Sequence, residues 1–313
     1  MTFSTKLAAK GAVVLAVGAL ALTACTNASE TGGGAQPSGS GSASASFDPS
    51  TVQKDDSLAS QVPAAIKSKG TLVVGSDTTY APAEFLGGSD NHTPMGYDVD
   101  FAKAIAATLG LKADVQTADF TGILPALGPK YDLGISSFTI TKERLQAVNF
   151  VSYFNAGVAW AVQKGNPKNF SVDDVCGKTI GVQTGTTEAD EVKTLSDKCT
   201  SSGKKAIDIV SLAAQTDLNT RLVNGALDAM SADSPIIGYA VTQTNGAVQK
   251  IGDTTEVAPE GIAVAKSDTA LADLIQKVMA KLMADGTYKK ILDSWNNADG
   301  AVSKAEVNPS VSS

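Results

Sequence analysis

The sequence is poor in the residues that carry most nucleophilic and metal chemistry. It has one histidine, His92, and three cysteines in 313 residues, and no two cysteines stand as a CxxC pair. That excludes a zinc ribbon, and any Ser-His-Asp or Cys-His catalytic set would have to use His92, which sits in a polar turn. Arginine is scarce too: of 25 basic residues, only Arg144 and Arg221 are arginines. Any bidentate grip on a carboxylate must come from one of them, because lysine presents only a point charge. Positive charge is outnumbered, 25 Lys and Arg against 32 Asp and Glu for a net charge of −7. No nucleic-acid partner is expected, nor an anionic membrane surface as the main partner. What the chain does have is apolar material, 43% hydrophobic against 18% charged. That supplies a large core, excludes global disorder, and at this length fits about two ordinary domains.

The N-terminus carries Lys6 and Lys10 ahead of an uncharged apolar run, Gly11 to Leu22. The run is short for a bilayer span, which takes about 20 residues, and suits the core of a signal peptide. Taken alone it is an ordinary secretory signal cut after Ala24. Leu22-Thr23-Ala24-Cys25, however, resembles the bacterial lipobox. That resemblance implies that residues 1–24 are a lipoprotein signal peptide and that Cys25 is diacylated as the mature N-terminus. The protein is then exported and lipid-anchored to the outer face of the cytoplasmic membrane. Residues 25–56 read as a flexible tether, since Gly, Ser and Pro fill 13 of the 20 positions from Thr31 to Ser50. Such a tether keeps the globular part roughly 30 Å from the lipid. With Cys25 lipidated, Cys176 and Cys199 are expected to pair in an oxidising compartment, with two free thiols as the alternative.

Structure is expected from Ser57, with a helix over Leu58–Ser68 closed by Gly70. From Thr71 the chain alternates apolar strands with helical spacings. Strands are expected at 72–74, 113–115, 133–135, 158–162, 178–182, 207–210, 226–230 and 261–265. The spacing predicts helices over 99–109, 123–127, 188–197, 218–224, 235–241, 271–283 and 288–295. Residues 301–313 are polar and expected to fray. The alternation runs twice, broken at Gly165-Asn166-Pro167, which implies an α/β fold of two lobes rather than one large domain.

Motifs along this frame carry a family resemblance. They begin with Thr79-Tyr80-Ala81-Pro82 with Glu84-Phe85, and Gly96-Tyr97-Asp98-Val99-Asp100 opening a helix. Tyr131-Asp132-Leu133, Thr139-Ile140-Thr141-Lys142-Glu143-Arg144 and Val148-Asn149-Phe150 follow. Gly181 to Thr187, Asp228-Ala229 and Asp285-Gly286-Thr287-Tyr288 complete the set. In order and spacing these resemble the family 3 extracellular solute-binding proteins of ABC transporters, which bind polar amino acids. The resemblance covers about residues 58–298. It implies a two-lobed clamp of the periplasmic-binding-protein type, each lobe a mixed, mostly parallel sheet flanked by helices. Lobe I would comprise 57–160 and 253–300, and lobe II 161–252. The implied partners are a polar amino acid and the membrane permease of an ABC importer. A monomer without cofactor or metal is expected.

An amino acid zwitterion needs an anion site and a cation site side by side. The resemblance places Arg144 as the carboxylate clamp, suited by its planar fork; unaided, the segment reads as a helix start with an exposed arginine. It places Asp233 on the ammonium, with Ser234 capping the helix that Pro235 opens. Ser137 and Thr139 would complete both shells. Thr186 and Thr187 follow Gly185 at a helix start, where free N–H groups attract an anion; the plain reading is a cap made by Thr187 with Asp190. Tyr80 and Phe120 would sandwich the ligand side chain. Asp77 faces the end of the side-chain pocket or merely caps its loop. If it faces the pocket it favours an amide or cationic side chain over an acidic one. An exported prephenate or arogenate dehydratase of the cyclohexadienyl type is the runner-up on the same fold, and the sensor half of a signalling protein a third reading.

Overall fold

The computed structural model describes residues 47–311. The signal run, Cys25 and the tether up to Ser46 lie outside the described residues. Two short helices come first, α1 (Asp56–Ala59) and α2 (Ala64–Lys69). Then follow β1 (Thr71–Ser76), the small sheet of β2 (Thr79–Tyr80), β3 (Glu84–Gly87) and β4 (Thr93–Met95), and helix α3 (Tyr97–Thr108). β5 (Lys112–Thr117), α4 (Phe120–Ile123), β6 (Leu133–Gly134) and α5 (Lys142–Ala147) lead into the long β7 (Val148–Gln163). The second series runs β8 (Thr179–Gln183), α6 (Thr187–Ser201), β9 (Asp208–Leu212), α7 (Gln215–Val223), β10 (Ala229–Asp233) and α8 (Ser234–Gln243). The long β11 (Val248–Ala265) returns, and α9 (Thr269–Ala284) and α10 (Thr287–Ser294) follow.

The main sheet has eight strands in the order β5-β1-β6-β11-β7-β10-β8-β9. β5, β1 and β6 pair in parallel, as do β10, β8 and β9. Between these two halves β7 and β11 run antiparallel over nearly their whole lengths, with register shifts between Ile251 and Gly261. β10 pairs only with the far end of β7, from Val158 to Ala161. Each half packs helices on its sheet. α9 shows why: Leu271, Leu274, Ile275, Val278, Met279 and Leu282 fall on one face and all are buried. Asp268 caps its start by accepting from the Leu271 N–H at 3.0 Å.

Several sequence expectations are corrected here. The single helix over 58–68 is two helices, because Pro63 lacks an N–H and cannot sit inside one. Order begins before Ser57: Phe47 and Val52 pack on the core, and Pro49–Thr51 forms a 3-10 turn. β7 starts at Val148 rather than Val158, and β11 at Val248 rather than Gly261. Pairing with each other holds both extended through polar and Gly- or Pro-bearing stretches that local propensity assigns to loops. Residues 301–311 do not fray. β10 leaves the first half of β7 without a neighbour, and the tail fills that edge. Ser152 N–H donates to the Glu306 carbonyl at 2.9 Å and Phe150 N–H to Asn308 Oδ1 at 2.9 Å, while Ala305 is buried.

Cys176 and Cys199 are bridged, tying the loop before β8 to α6. The bridge closes a loop with a sequence separation of 23, worth on the order of 3 kcal/mol in the chain-entropy model. Replacing both cysteines by serine should therefore lower the melting temperature by several degrees. An unchanged melt would show that the bridge adds nothing to the folded state.

Candidate functional site

The two halves meet over one small cavity with about 260 Å³ of atom-free space. All nine residues singled out as ligand contacts line it: Asp77, Tyr80, Phe120, Ser137, Thr139 and Arg144 from one half, Thr186, Thr187 and Asp233 from the other. Gln183 and Glu188 line it as well. The side chains arrive from the carboxyl ends of the parallel strands and the helix starts that follow, where an open α/β sheet leaves a crevice.

Arg144 sits in the first turns of α5. Thr141 starts that helix by accepting the Arg144 N–H at 3.1 Å, which turns the arginine inward. Its guanidinium is half-buried, donates to the Thr139 carbonyl at 2.8 Å and to the Gly185 carbonyl of the other half at 3.0 Å. It lies 5.5 Å from the Phe120 ring centroid and 5.9 Å from that of Phe138. Phe120 itself stacks on Phe138 with centroids 4.8 Å apart. Gly185 has φ of +81°, and an added Cβ would stand 2.5 Å from Thr121 Cγ2 across the cleft. Only glycine allows the halves to approach this closely.

The capping expectations need correction. Thr186, not Thr187, is the N-cap of α6, accepting from the Ala189 N–H at 3.2 Å. Asp233, not Ser234, is the N-cap residue of α8, with Pro235 one position further in. Its carboxylate makes no cap bond and is free for the cavity by this other route. The Tyr80 hydroxyl donates to Asp233 Oδ2 at 2.8 Å and accepts from the Asp233 N–H at 3.1 Å. Tyr80 is thus buried as a bridge between the halves.

Asp77 orders its loop and also lines the cavity. Oδ1 accepts from the Thr79 hydroxyl at 2.8 Å and orders the loop, while Oδ2 accepts from Gln183 Nε2 of the other half at 2.5 Å. Ser137 has φ of +43°, a strained conformation for a non-glycine residue, held by its N–H donating to Asp98 Oδ2 at 2.9 Å. Its hydroxyl is buried with no hydrogen-bond partner among the described residues. Thr139 and Thr187 bring their hydroxyls within 3.4 Å across the cleft.

The electrostatics are lopsided. Asp77, Glu188 and Asp233 face a single cation, Arg144, and no lysine lines the cavity. Arg221 is exposed on α7. Burial raises Asp77 above the ordinary carboxylate range, and raises Asp233 well above it with the Glu188 charge as the next cause. Burial lowers Arg144, opposed by the attraction of Glu188 and Asp233.

Gln183 and Glu188 escaped the sequence reading, though both left a signal. Gln183 ends a strand immediately before a helix start. Glu188 lies at i relative to Val192, Leu195 and Cys199, a carboxylate on the buried face of α6.

The sequence model for bacterial extracellular solute-binding proteins, family 3, matches residues 72–298. The chain belongs to this family. Among its family 3 relatives, the arginine-binding protein ArgT of Corynebacterium glutamicum is 31% identical over 253 residues, spanning 80% of this chain and 82% of that one. An ancestral arginine-binding protein solved bound to arginine is 37% identical, with a TM-score of 0.66 over 72% of this chain and 98% of that one. The ancestral amino acid-binding protein AncCDT-1, a precursor of cyclohexadienyl dehydratase, is 32% identical with a TM-score of 0.66, over 74% and 97%. As a family 3 solute-binding protein the chain is extracytoplasmic, and no helix among the described residues is long and apolar enough to cross a membrane.

Proposed function

We propose that this protein captures a cationic L-amino acid between its two halves and delivers it to the permease of an ABC importer. The observation that carries the ligand class is the charge of the cavity, three carboxyls against one guanidinium. Arg144 takes the α-carboxylate by its fork and Asp233 the α-ammonium, with Ser137, Thr139, Thr186 and Thr187 completing the polar shell. Tyr80 and Phe120 flank the side chain, and Asp77 waits at its end. The solved arginine complex of an ancestral relative supports this class, although such an ancestral protein is also solved bound to glutamine. In this reading 57–160 with 253–300 and 161–252 move as two lobes, closing because the ligand touches both only when they meet.

Calorimetry with L-arginine, L-lysine, L-glutamine and L-glutamate tests it. A glutamate side chain would bury a second carboxylate beside Asp77 with no cation to receive it, about 2–5 kcal/mol against binding. Arginine or lysine should therefore bind at least about 30-fold tighter than glutamate. Tight glutamate binding alone would refute the assignment.

We read the chain as a monomeric binder rather than a dehydratase. Prephenate brings two carboxylates and no ammonium, the wrong balance for three carboxyls and one guanidinium. Mixing the protein with prephenate should give no new chromophore.

We also propose that Cys25 anchors the protein by lipid. Cys25→Ser should release it into the medium or leave it unprocessed, since a tether alone has no membrane affinity. Wild-type retention of the variant in the membrane fraction would reject the lipobox.

A further inference from the structure

Glu188 has no part in the binding scheme just given, yet it is 2% exposed and faces the ligand cavity. Its Oε2 accepts from the Thr187 hydroxyl at 3.3 Å, and Thr187 meets Thr139, whose carbonyl holds Arg144. Oε1 is buried with no hydrogen-bond partner among the described residues. The carboxyl therefore lies beside the seat of the ligand's α-carboxylate, with an oxygen whose needs nothing yet meets. We propose that Glu188 and Asp233 share one proton in the closed cavity, and that this proton settles on Glu188 when an ammonium takes Asp233.

The inference rests on the amino acid reading, and the charge count drives it. A zwitterion brings one charge of each sign. Arg144 with the ligand carboxylate and Asp233 with the ligand ammonium balance, and Glu188 is left over. Ionised, it would press a carboxylate against a carboxylate in a low-dielectric space. Neutral, it opposes neither and can donate a hydrogen bond from the oxygen now unpartnered.

The surroundings favour one retained proton. Burial raises Glu188, while its own N–H, Thr187 and Arg144 pull it down. Asp233 is raised further, Glu188 being one of the causes. Tyr80, held well above its usual value by burial and Asp233, remains a donor. Asp190 on α6 and Glu143 on α5 act through their attraction for Arg144. Glu191, further along α6, is pushed up to about 7 by burial and then by the charge of Glu256 on β11. Glu260 of β11 is buried near Asp233, which raises it. No histidine or lysine lines the cavity to supply a competing cation.

Two measurements on the purified protein test this. Infrared spectra should show the loss of one protonated carboxyl in Glu188→Gln with L-arginine bound, and in the Glu188→Gln/Asp233→Asn double variant without ligand. Calorimetry with L-arginine, corrected for the ligand's own α-amino titration, should show wild-type affinity falling on the alkaline side by about tenfold per pH unit with uptake of a proton. Glu188→Gln, always neutral, should lose that decline. An unchanged carboxyl band overturns the proposal, as does a wild-type affinity flat through the alkaline range. If none of the twenty amino acids binds, the functional reading fails by itself. The ligand-free infrared comparison still decides the proton.

Discussion

Arg144→Ala is expected to lower amino acid affinity by about 30-fold or more and leave the fold intact. The guanidinium is the one cation in the cavity, and the proposed ligand carboxylate has no other ionic partner there. Leaving that charge buried and unpaired costs about 2–5 kcal/mol, and each 1.4 kcal/mol is about tenfold in affinity. The fold should survive because Arg144 belongs to none of the core clusters and only its guanidinium reaches across the cleft. Its loss also removes the Gly185 contact, so the closed state itself is weakened. Arg144→Lys should recover only part of the affinity, since the point charge cannot span both ligand oxygens. Calorimetry beside a thermal melt checks both statements. Wild-type binding by Arg144→Ala would place the carboxylate seat elsewhere.

The sheet and the site were legible in the sequence to different depths, for reasons that particular residues make plain. α9 could be read in full because its apolar spacing and its caps agree. β7 and β11 could not. Val148–Gly157 is extended because the end of β11 supplies its ladder, and Val248–Glu260 because the end of β7 supplies its own, and nothing local announces a partner about a hundred residues away. The docked tail escaped for the same reason: its order comes from the open edge of β7, not from its own polar residues. Arg144, Asp233 and Thr186 needed the ordered set of motifs, since each alone reads as a helix start. The caps of α6 and α8 were each misplaced by one residue, which changes the hydrogen bond made without changing where the side chain faces. Glu188 was passed over as a helix-start acid, although its phase with Val192 and Cys199 marks it as buried.

Gly96→Ala should destabilise the protein by about 3 kcal/mol or more, and weaken binding through a residue that never meets the ligand. Gly96 has φ of +125° where β4 gives way to α3. A Cβ there would stand 2.0 Å from the Ala83 carbonyl oxygen and 2.8 Å from that of Pro82. Both obstacles are backbone, so no side chain can swing aside. The next two residues show what the close approach serves. Tyr97 N–H donates to the Pro82 carbonyl at 3.2 Å and Asp98 N–H to that of Ala83 at 3.0 Å, clamping the chain just beyond Tyr80 to the start of α3. Asp98, pushed up to about 6 by burial, then accepts from the Tyr153 hydroxyl at 2.6 Å and from the Ser137 N–H at 2.9 Å. A shift at Gly96 therefore reaches Tyr80 through one strand of contacts and Ser137 through another. With total stabilities of about 5–15 kcal/mol for folded domains, the loss is large enough to see directly. Urea unfolding should show a lower midpoint, and calorimetry on the folded fraction a weaker ligand. If Gly96→Ala unfolds at the wild-type midpoint, the backbone there relaxes freely and α3 does not fix the Tyr80 loop.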